Sequence, residues 1–292
     1  MVAVRTEHGE LVRFPTSDIV AGKTVPPRPS SLRDLDAEEA DRLAHPGWQP
    51  VEQANLGQWL LRASGGFSNR GNSVLALGDP GPPLEEALHQ VAQWYDARGL
   101  PPRAHALPGS AAAGALEAAG WDRYEPTVLM LAPLTRALRH TPPTEVPVRQ
   151  DGELDAGWLA TDERAARHGE AARQVLEGSL EGGEITFATV RGQDGSVTAR
   201  GRGVVHAGWL GVSSLWTAPD HRGRGLGSAV LRSLLEWGAE RGASTAYLQV
   251  VEANTAALAL YEARGFERHH DYAYYVSPDF LGDPQRTVSP DR

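Results

Sequence analysis

The chain has 292 residues with 28 basic and 37 acidic side chains, a formal charge of −9. It has no cysteine, which excludes disulfides, thiolate metal sites and a cysteine nucleophile. Apolar residues make up 41% and charged ones 22%, the balance of a globular protein with a sizeable core, and the negative excess argues against a nucleic-acid surface spread over the whole molecule.

Residues 2–24 alternate apolar and polar side chains about a His8-Gly9 turn, with Val2 and Val4 on one arm and Leu11, Val12 and Phe14 on the other. This predicts a small hairpin, followed by Ile19-Val20. Pro26, Pro27 and Pro29 with Ser30 and Ser31 mark a linker. A helix is expected over 32–43 with Ser31 as its N-cap. From Trp48 to Pro133 strands and helices alternate. Strands are expected at 59–63, 73–77 and 127–131. Leu84 to Arg98 reads as an amphipathic helix stopped by Gly99, and Ala111 to Ala119 as a second stopped by Gly120. Pro142, Pro143 and Pro147 make 139–147 a second linker.

The second half repeats the plan. A helix is expected over 155–180, then strands at 185–190, 197–205 and 210–217. A helix over 225–241 buries Leu226, Val230, Leu231, Leu234 and Leu235. A strand at 245–251, a helix at 254–263 stopped by Gly265 and a strand at 272–276 close the pattern, before a polar tail. The halves also match in sequence. Gln93 to Gly99 resembles Glu236 to Gly242, and Leu116 to Arg123 resembles Tyr261 to Arg268, at offsets of 143 and 145. Similar segments in the same order at nearly one offset indicate two copies of one α/β unit. The boundaries expected are a β segment at 1–30, a first copy at 31–138, a second copy at 145–278 and a loose tail at 279–292.

Chemistry concentrates in Leu215-Trp216-Thr217-Ala218-Pro219-Asp220-His221-Arg222-Gly223-Arg224-Gly225-Leu226-Gly227-Ser228. A strand turns at Pro219-Asp220, and three alternate glycines lead into a helix. Glycine lets backbone lie against a ligand. The free N–H groups and positive dipole end of a helix's first turn form an anion cradle. Between Arg200 and Arg232 there are five arginines and one acid, Asp220, a local +4. A P-loop would need Gly-Lys-Ser/Thr, which is absent, and a dinucleotide fingerprint would need glycine where Ser228 stands.

Arg222-Gly223-Arg224-Gly225-Leu226-Gly227 resembles the Arg/Gln-x-x-Gly-x-Gly/Ala acetyl-CoA loop of the Gcn5-related N-acetyltransferase (GNAT) family. Leu248-Gln249-Val250, Asn254, Ala257, Leu260-Tyr261 and Gly265-Phe266 resemble that family's second signature. The resemblance to a catalytic domain covers 146–276, and the whole chain resembles tandem acetyltransferases of actinobacterial type. It implies an α/β protein of two GNAT-like mixed-sheet domains in tandem, the N-terminal copy degenerate, behind a small β segment. It further implies acetyl-CoA as co-substrate, without a metal. The backbone N–H groups of Arg222 to Ser228 would hold the pyrophosphate. The pantetheine arm would run beside Leu215, Trp216 and Thr217, where two strands splay, often at a bulge. Asn254 and Ala257 would contact the cofactor or cap the helix, and Tyr261 would contact it and serve as the acid for the departing thiolate.

These residues suggest direct acetyl transfer to an amine of a small molecule or peptide, in a cytoplasmic protein that binds neither nucleic acid nor membrane. The alternatives are a non-catalytic CoA-binding sensor or partner-binding module, and transfer of a longer acyl group. The general base stays open among Glu252, Glu184, His206 and a water chain. In the first copy the loop position falls on Asp79-Pro80-Gly81-Pro82-Pro83, without arginines, and Leu116 stands where the second copy has Tyr261. That copy is expected not to bind acetyl-CoA. Its Arg62, Ser68, Asn69 and Arg70, around Gly65-Gly66-Phe67, either contact an acceptor or form a solvated loop. His269 and His270, as neighbours in a strand, are expected to point apart.

Overall fold

The computed structural model describes residues 2–5, 11–14, 32–178 and 181–278. Two compact units are present, residues 1–34 and 35–292. In the first, β1 (Val2–Arg5) and β2 (Leu11–Phe14) pair antiparallel, with Val2 opposite Phe14 and Arg5 opposite Leu11. The His8-Gly9 turn, Ile19-Val20, the linker to Ser31 and the tail at 279–292 lie outside the described residues.

The second unit is built on one eleven-stranded sheet. Its first half supplies β3 (Glu52–Leu56), β4 (Trp59–Ala63), β5 (Val74–Leu75), β6 (Arg103–Ala106) and β7 (Asp122–Pro133). Its second half supplies β8 (Arg149–Asp151), β9 (Glu184–Arg191), β10 (Val197–His206), β11 (Trp209–Thr217), β12 (Thr245–Val251) and β13 (Glu267–Val276). The order across the sheet is β3-β4-β5-β6-β13-β7-β12-β11-β10-β9-β8. The helices are α1 (Ala37–Ala44), α2 (Leu84–Asp96), α3 (Ala111–Ala118), α4 (Leu134–His140), α5 (Ala156–Ala160), α6 (Glu163–Glu177), α7 (Leu226–Glu240) and α8 (Thr255–Ala263).

The matched sequence segments occupy matched places. α2 and α7 each connect a parallel strand pair, β5 to β6 and β11 to β12. α3 and α8 each lead into the long strand that follows. Those two long strands are exchanged. β13 pairs antiparallel with β6, Ala273 opposite Ala106, and β7 pairs antiparallel with β12, Val251 opposite Thr127. β7 and β13 also pair with each other. The sheet therefore passes unbroken from one half to the other, although the chain crosses between them at 139–148.

Side chains alternate across the sheet. One face is apolar. There α4, α7 and α8 pack on Val128, Met130, Leu210, Val212, Ala246 and Leu248. α2 and α3 pack on Ala104, Ala106, Ala273 and Tyr275. The opposite face carries Arg62, His105, Thr127, Arg200, Arg202, Tyr247, Tyr272 and Tyr274, all buried. α1 and the α5–α6 pair cover it. Tyr247 Oη donates to Ala44 O (2.8 Å), and Arg202 Nε donates to Leu176 O (2.7 Å).

Several local expectations change. α1 is capped by Asp36, whose carboxylate accepts from Glu38 N at 2.8 Å, and not by Ser31. The helix expected over 155–180 is two helices. Asp155 caps the first through Trp158 N, and Asp162 caps the second through Arg164 N and Ala165 N. The strands β3, β6 and β8 escape a sequence reading because they are short and polar, without the β-branched run that marks a strand. His269 and His270 do not point apart. A register shift between Arg268 and His270 breaks the alternation, and their Nδ1 atoms meet at 2.8 Å.

Because β6 and β12 each find a long-strand neighbour only in the other half, neither half carries a complete sheet. A chain ending at Thr144, or one beginning at Glu145, is expected to show no cooperative urea transition by circular dichroism. The full chain should unfold cooperatively.

Candidate active site

The site forms where β11 and β12 separate. Their parallel pairing runs through Trp209, Leu210 and Gly211, opposite Thr245, Ala246 and Tyr247, and stops there. β12 continues to pair with β7 on its other side, while β11 continues with β10. Two features drive the strands apart. The Tyr247 ring lies over Gly211, so close that a Cβ at 211 would meet its Cε1 at 3.0 Å and its Cζ at 2.6 Å. Beyond that point β11 carries an extra residue: Arg200 opposes Trp216 but Arg202 opposes Ser213, and Ser214 adopts φ +54°. This is a β-bulge held from beneath, for Arg200 Nη1 donates to Ser214 O at 2.8 Å.

β11 ends at Thr217, and a 3-10 turn at Pro219–His221 leads into the glycine loop. His221 N and Arg222 N are used within that turn, bonding Ala218 O and Pro219 O. The next intramolecular backbone bond is Ala229 N to Gly225 O, the first of α7. The N–H groups from Gly223 to Ser228 therefore make no backbone hydrogen bond among the described residues, and they sit at the positive end of a 15-residue helix. Gly225, the N-cap, has φ +79° and no side-chain cap. The loop opens on a cleft of about 260 Å³ walled by Thr217, His221, Arg222, Gly223, Gly225, Leu226, Gly227, Ser228 and Leu260.

Charge at the loop differs from the sequence sum. Arg200 and Arg202 point to the opposite face of the sheet. Arg200 pairs with Asp162 (3.1 Å), and burial brings its guanidinium down to about 10. Burial brings Arg202 down to about 9. Arg232 is tied to Leu138 O, Thr141 O and Glu236. Arg222 and Arg224 remain exposed in the loop. Arg264, after α8, adds a cation there by donating to Ser228 Oγ at 3.1 Å.

Of the residues singled out from sequence, Thr217, Arg222, Gly223, Gly225, Leu226, Gly227 and Ser228 line the cleft. Arg224 lies in the loop but not in its wall. Leu215 packs partly into the core of α7, and Trp216 stands 5.7 Å from the Arg200 guanidinium. Asn254 caps α8 by accepting from Ala257 N at 3.1 Å, and Ala257 packs against the core. Tyr261 is buried on α8 edge-on to Phe266, and burial pushes its phenol up to about 12. Sequence reasoning missed His221, Leu260 and Arg264. The first two sit inside or beside the quoted motifs; Arg264 belongs to the repeated turn before Gly265. Glu184 and His206 lie at the far end of the β9–β11 ladder, beside the Ala207-Gly208 turn, and Glu184 pairs with Arg241. Glu252 ends β12 and pairs with Arg268.

The family described as the C-terminal region of the probable histone acetyltransferase Rv0428c matches residues 30–275. The uncharacterized N-acetyltransferase YobR of Bacillus subtilis is 29% identical over 251 residues, 82% of this chain and 98% of that protein. The probable histone acetyltransferase Rv0428c of Mycobacterium tuberculosis is 29% identical over 283 residues, 94% of this chain and 84% of that protein. A tandem GNAT protein from the clavulanic acid biosynthesis pathway has the same fold, with a TM-score of 0.53 at 15% identity over 82% of this chain and 87% of that one.

The chain belongs to the Gcn5-related N-acetyltransferase family. It is an enzyme of the N-acetyltransferase type. Within this GNAT chain the two copies differ at the loop. In the first, Gln58 Oε1 accepts from Asp79 N (2.7 Å) and Asp79 Oδ1 accepts from Gly81 N (2.8 Å), while Pro80, Pro82 and Pro83 have no N–H to offer. Those donors are spent internally, whereas the second copy's face the cleft. Leu116, at the Tyr261 position, is sealed in the α2–α3 core.

Two glycines of the GNAT site answer to different constraints, and substitution separates them. Gly225→Ala places its methyl in open space, so only the left-handed backbone is penalised, by about 1–2 kcal/mol. Gly211→Ala drives a methyl into the Tyr247 ring and is expected to cost more, about 2–3 kcal/mol or above. Urea midpoints of the two variants check the order.

Proposed function

We propose that this protein transfers an acetyl group from acetyl-CoA directly to an amine, with the chemistry in the second copy. The observation that carries the reading is the run of unbonded N–H groups from Gly223 to Ser228, aimed into a cleft beside the parted strands. Such donors suit a pyrophosphate, and Gly223, Gly225 and Gly227 put no Cβ in its way. The edge of β11 beyond Gly211 has lost its partner strand and can pair with the amides of a pantetheine arm. Acetyl-CoA supplies the acetyl group as a thioester. The amine nitrogen forms the new C–N bond, the C–S bond breaks, and the amine's proton balances the thiolate to give an amide and free CoA.

The residues divide the remaining work. A backbone N–H at the β11 bulge is placed to stabilise oxyanion charge. Tyr261 keeps its proton at neutral pH, because burial has raised its phenol to about 12. A thiol titrates at about 8.5, so the Tyr261 hydroxyl supports the departing sulfur chiefly as a persistent hydrogen-bond donor. Its high value also separates it from the pH profile: the acidic limb should follow deprotonation of the acceptor ammonium, and Tyr261 should add no alkaline limb below about pH 11.

Free-thiol release from acetyl-CoA, measured against amines, amino acids, polyamines and peptide N-termini, tests the reading. Acceptor-dependent release is expected. Tyr261→Phe should lower kcat on the order of a hundredfold and leave the shape of the pH profile unchanged. Calorimetry should give one acetyl-CoA site per chain. Two sites, or loss of the alkaline limb in Tyr261→Phe, would overturn the assignment of roles, and absence of acetyl-CoA binding would overturn the reading itself.

A further inference from the structure

Two buried cations on the polar face of the sheet, Arg62 and Arg202, have no acid partner among the described residues. Arg62 Nε donates to Ser73 O (2.8 Å) and its Nη2 to Ser73 Oγ (2.9 Å). Arg202 donates to the backbone carbonyls of Leu176, Gly47 and Gly178. Neither meets a carboxylate among the described residues: of the two buried acids, Asp41 is taken by His105 at 2.9 Å and Asp162 by Arg200 at 3.1 Å. Arg70 differs from both. Its guanidinium stacks over the Trp48 ring at 5.2 Å, its Nε is buried with no hydrogen-bond partner, and no carboxylate lies in ion-pair range. The residue as a whole is half-buried. The Tyr272 hydroxyl bonds the guanidinium, but no carboxylate does, and a largely desolvated cation with its Nε unmet is costly unless an anion completes it.

Its position gives the anion a purpose. Arg70 belongs to the turn between β4 and β5, which bridges both walls of the parted strands. Toward β11, the same Trp48 ring receives Arg202 at 5.4 Å, and Arg202 reaches Ser213 Oγ at 3.5 Å. Toward β12, Asn69 Nδ2 donates to Glu125 on β7, and the next residue, Pro126, accepts from Glu252 N at the end of β12. Burial raises the phenols of Tyr247, the residue at the point of separation, and of Tyr272 and Tyr274 beside it, and the nearby charge of Arg70 works against that rise. On β12 itself, Gln249 Oε1 is buried without a donor, ready to accept from an N–H. The turn is thus built: Asn72 Oδ1 accepts from Ser64 N and Gly66 N, and its Nδ2 donates to Phe67 O and Ser68 O.

We propose that Arg70 is the anion anchor of the acceptor site, and that the acceptor is a small amine bearing a carboxylate, of the amino-acid type. This rests on the reading of the parted strands as the place of acetyl transfer. One guanidinium without a carboxylate partner matches one planar carboxylate, and the guanidinium fork can bond both oxygens. The first copy, which holds no cofactor loop of its own, then serves the second by supplying the specificity of its acceptor.

Calorimetric titration of the full chain, saturated with CoA, tests the proposal without turnover. The probes are the common amino acids, each with its amide and with the amine that lacks the carboxylate. At least one acid should bind tighter than its amide by tenfold to a hundredfold, in the range of about 1.5–3 kcal/mol for a hydrogen bond to a charged group. Arg70→Gln should erase that preference while leaving CoA affinity unchanged, and Arg70→Lys should keep part of it. Amides or plain polyamines binding as well as the acids, or a preference that survives Arg70→Gln, would overturn it. So would the absence of acid binding at millimolar concentration. The acid-over-amide comparison needs no variant, so misfolding of either substitution leaves the test intact. Failure of the CoA titration would instead overturn the proposed function, and the same acid titrations on the CoA-free chain would still decide Arg70.

Discussion

Strand β13 lies between β6 and β7, and the rest of the second unit depends on that insertion. It pairs with β6 on one side and with β7 on the other, a second-half strand seated between two strands of the first half. A sheet edge between the halves would expose a row of unpaired N–H and C=O groups. The exchange removes that edge and brings β7, a first-half strand, directly against β12. The wall of the cleft beyond β12 is therefore made by the first half. The first half, whose own loop keeps its donors for itself, thus borders the parted strands of the second.

The two faces of the sheet are held by different forces. The face under α7 and α2 is apolar and close-packed, a matter of area removed from water. The other is a lattice of directed bonds. Arg202 gathers carbonyls from the end of α6 and from Gly47, and so ties the α6 and α1 segments to β10. Tyr247 fixes the end of α1 through Ala44 O. Asp41, His105 and His270 join α1, β6 and β13. Burial raises the Asp41 carboxyl, but the two imidazoles outweigh it and hold the group well below its ordinary range. An apolar interface would tolerate sliding. These bonds instead fix α1 and the 64–73 turn relative to the parting of β11 and β12.

The loop at 222–228 was legible because its chemistry is local: alternate glycines, a helix start and flanking arginines act within a dozen residues. The duplication was legible for the same reason, through Gly99 and Gly242 and through Gly120 and Gly265. The exchange was not. β7 and β13 follow matched helices and open on similar residues, Asp122-Arg123 and Glu267-Arg268, so local sequence does not assign their neighbours and only non-local pairing decides. The five arginines from 200 to 232 read as one basic patch in sequence. Strand alternation sends Arg200 and Arg202 to the far face, and Arg232 is spent on the α4 connection. What sequence counts as charge, the fold divides between cradle and scaffold.

Backbone strain marks the same place from another direction. Four non-glycine residues among those described have φ in the left-handed region: Ser68, Glu125, Ala207 and Ser214. Ala207 occupies the tight turn between β10 and β11, where such a conformation is usual for a hairpin. The other three lie on β11, on β7 and in the turn between β4 and β5. Ser214 makes the bulge in β11, Glu125 lies where β7 gains a residue against β13, and Ser68 precedes Arg70 in the turn that joins them. Each costs roughly 1–3 kcal/mol and persists only where its surroundings over-determine it. Here they do: Arg200 holds the carbonyl of Ser214, Asn69 holds Glu125, and Ser68 Oγ accepts from Trp48 Nε1 and Gly71 N. Stability is given up at three points on three different elements, two of them from the first half, and the contacts Asn69–Glu125 and Arg200–Ser214 hold two of them in place.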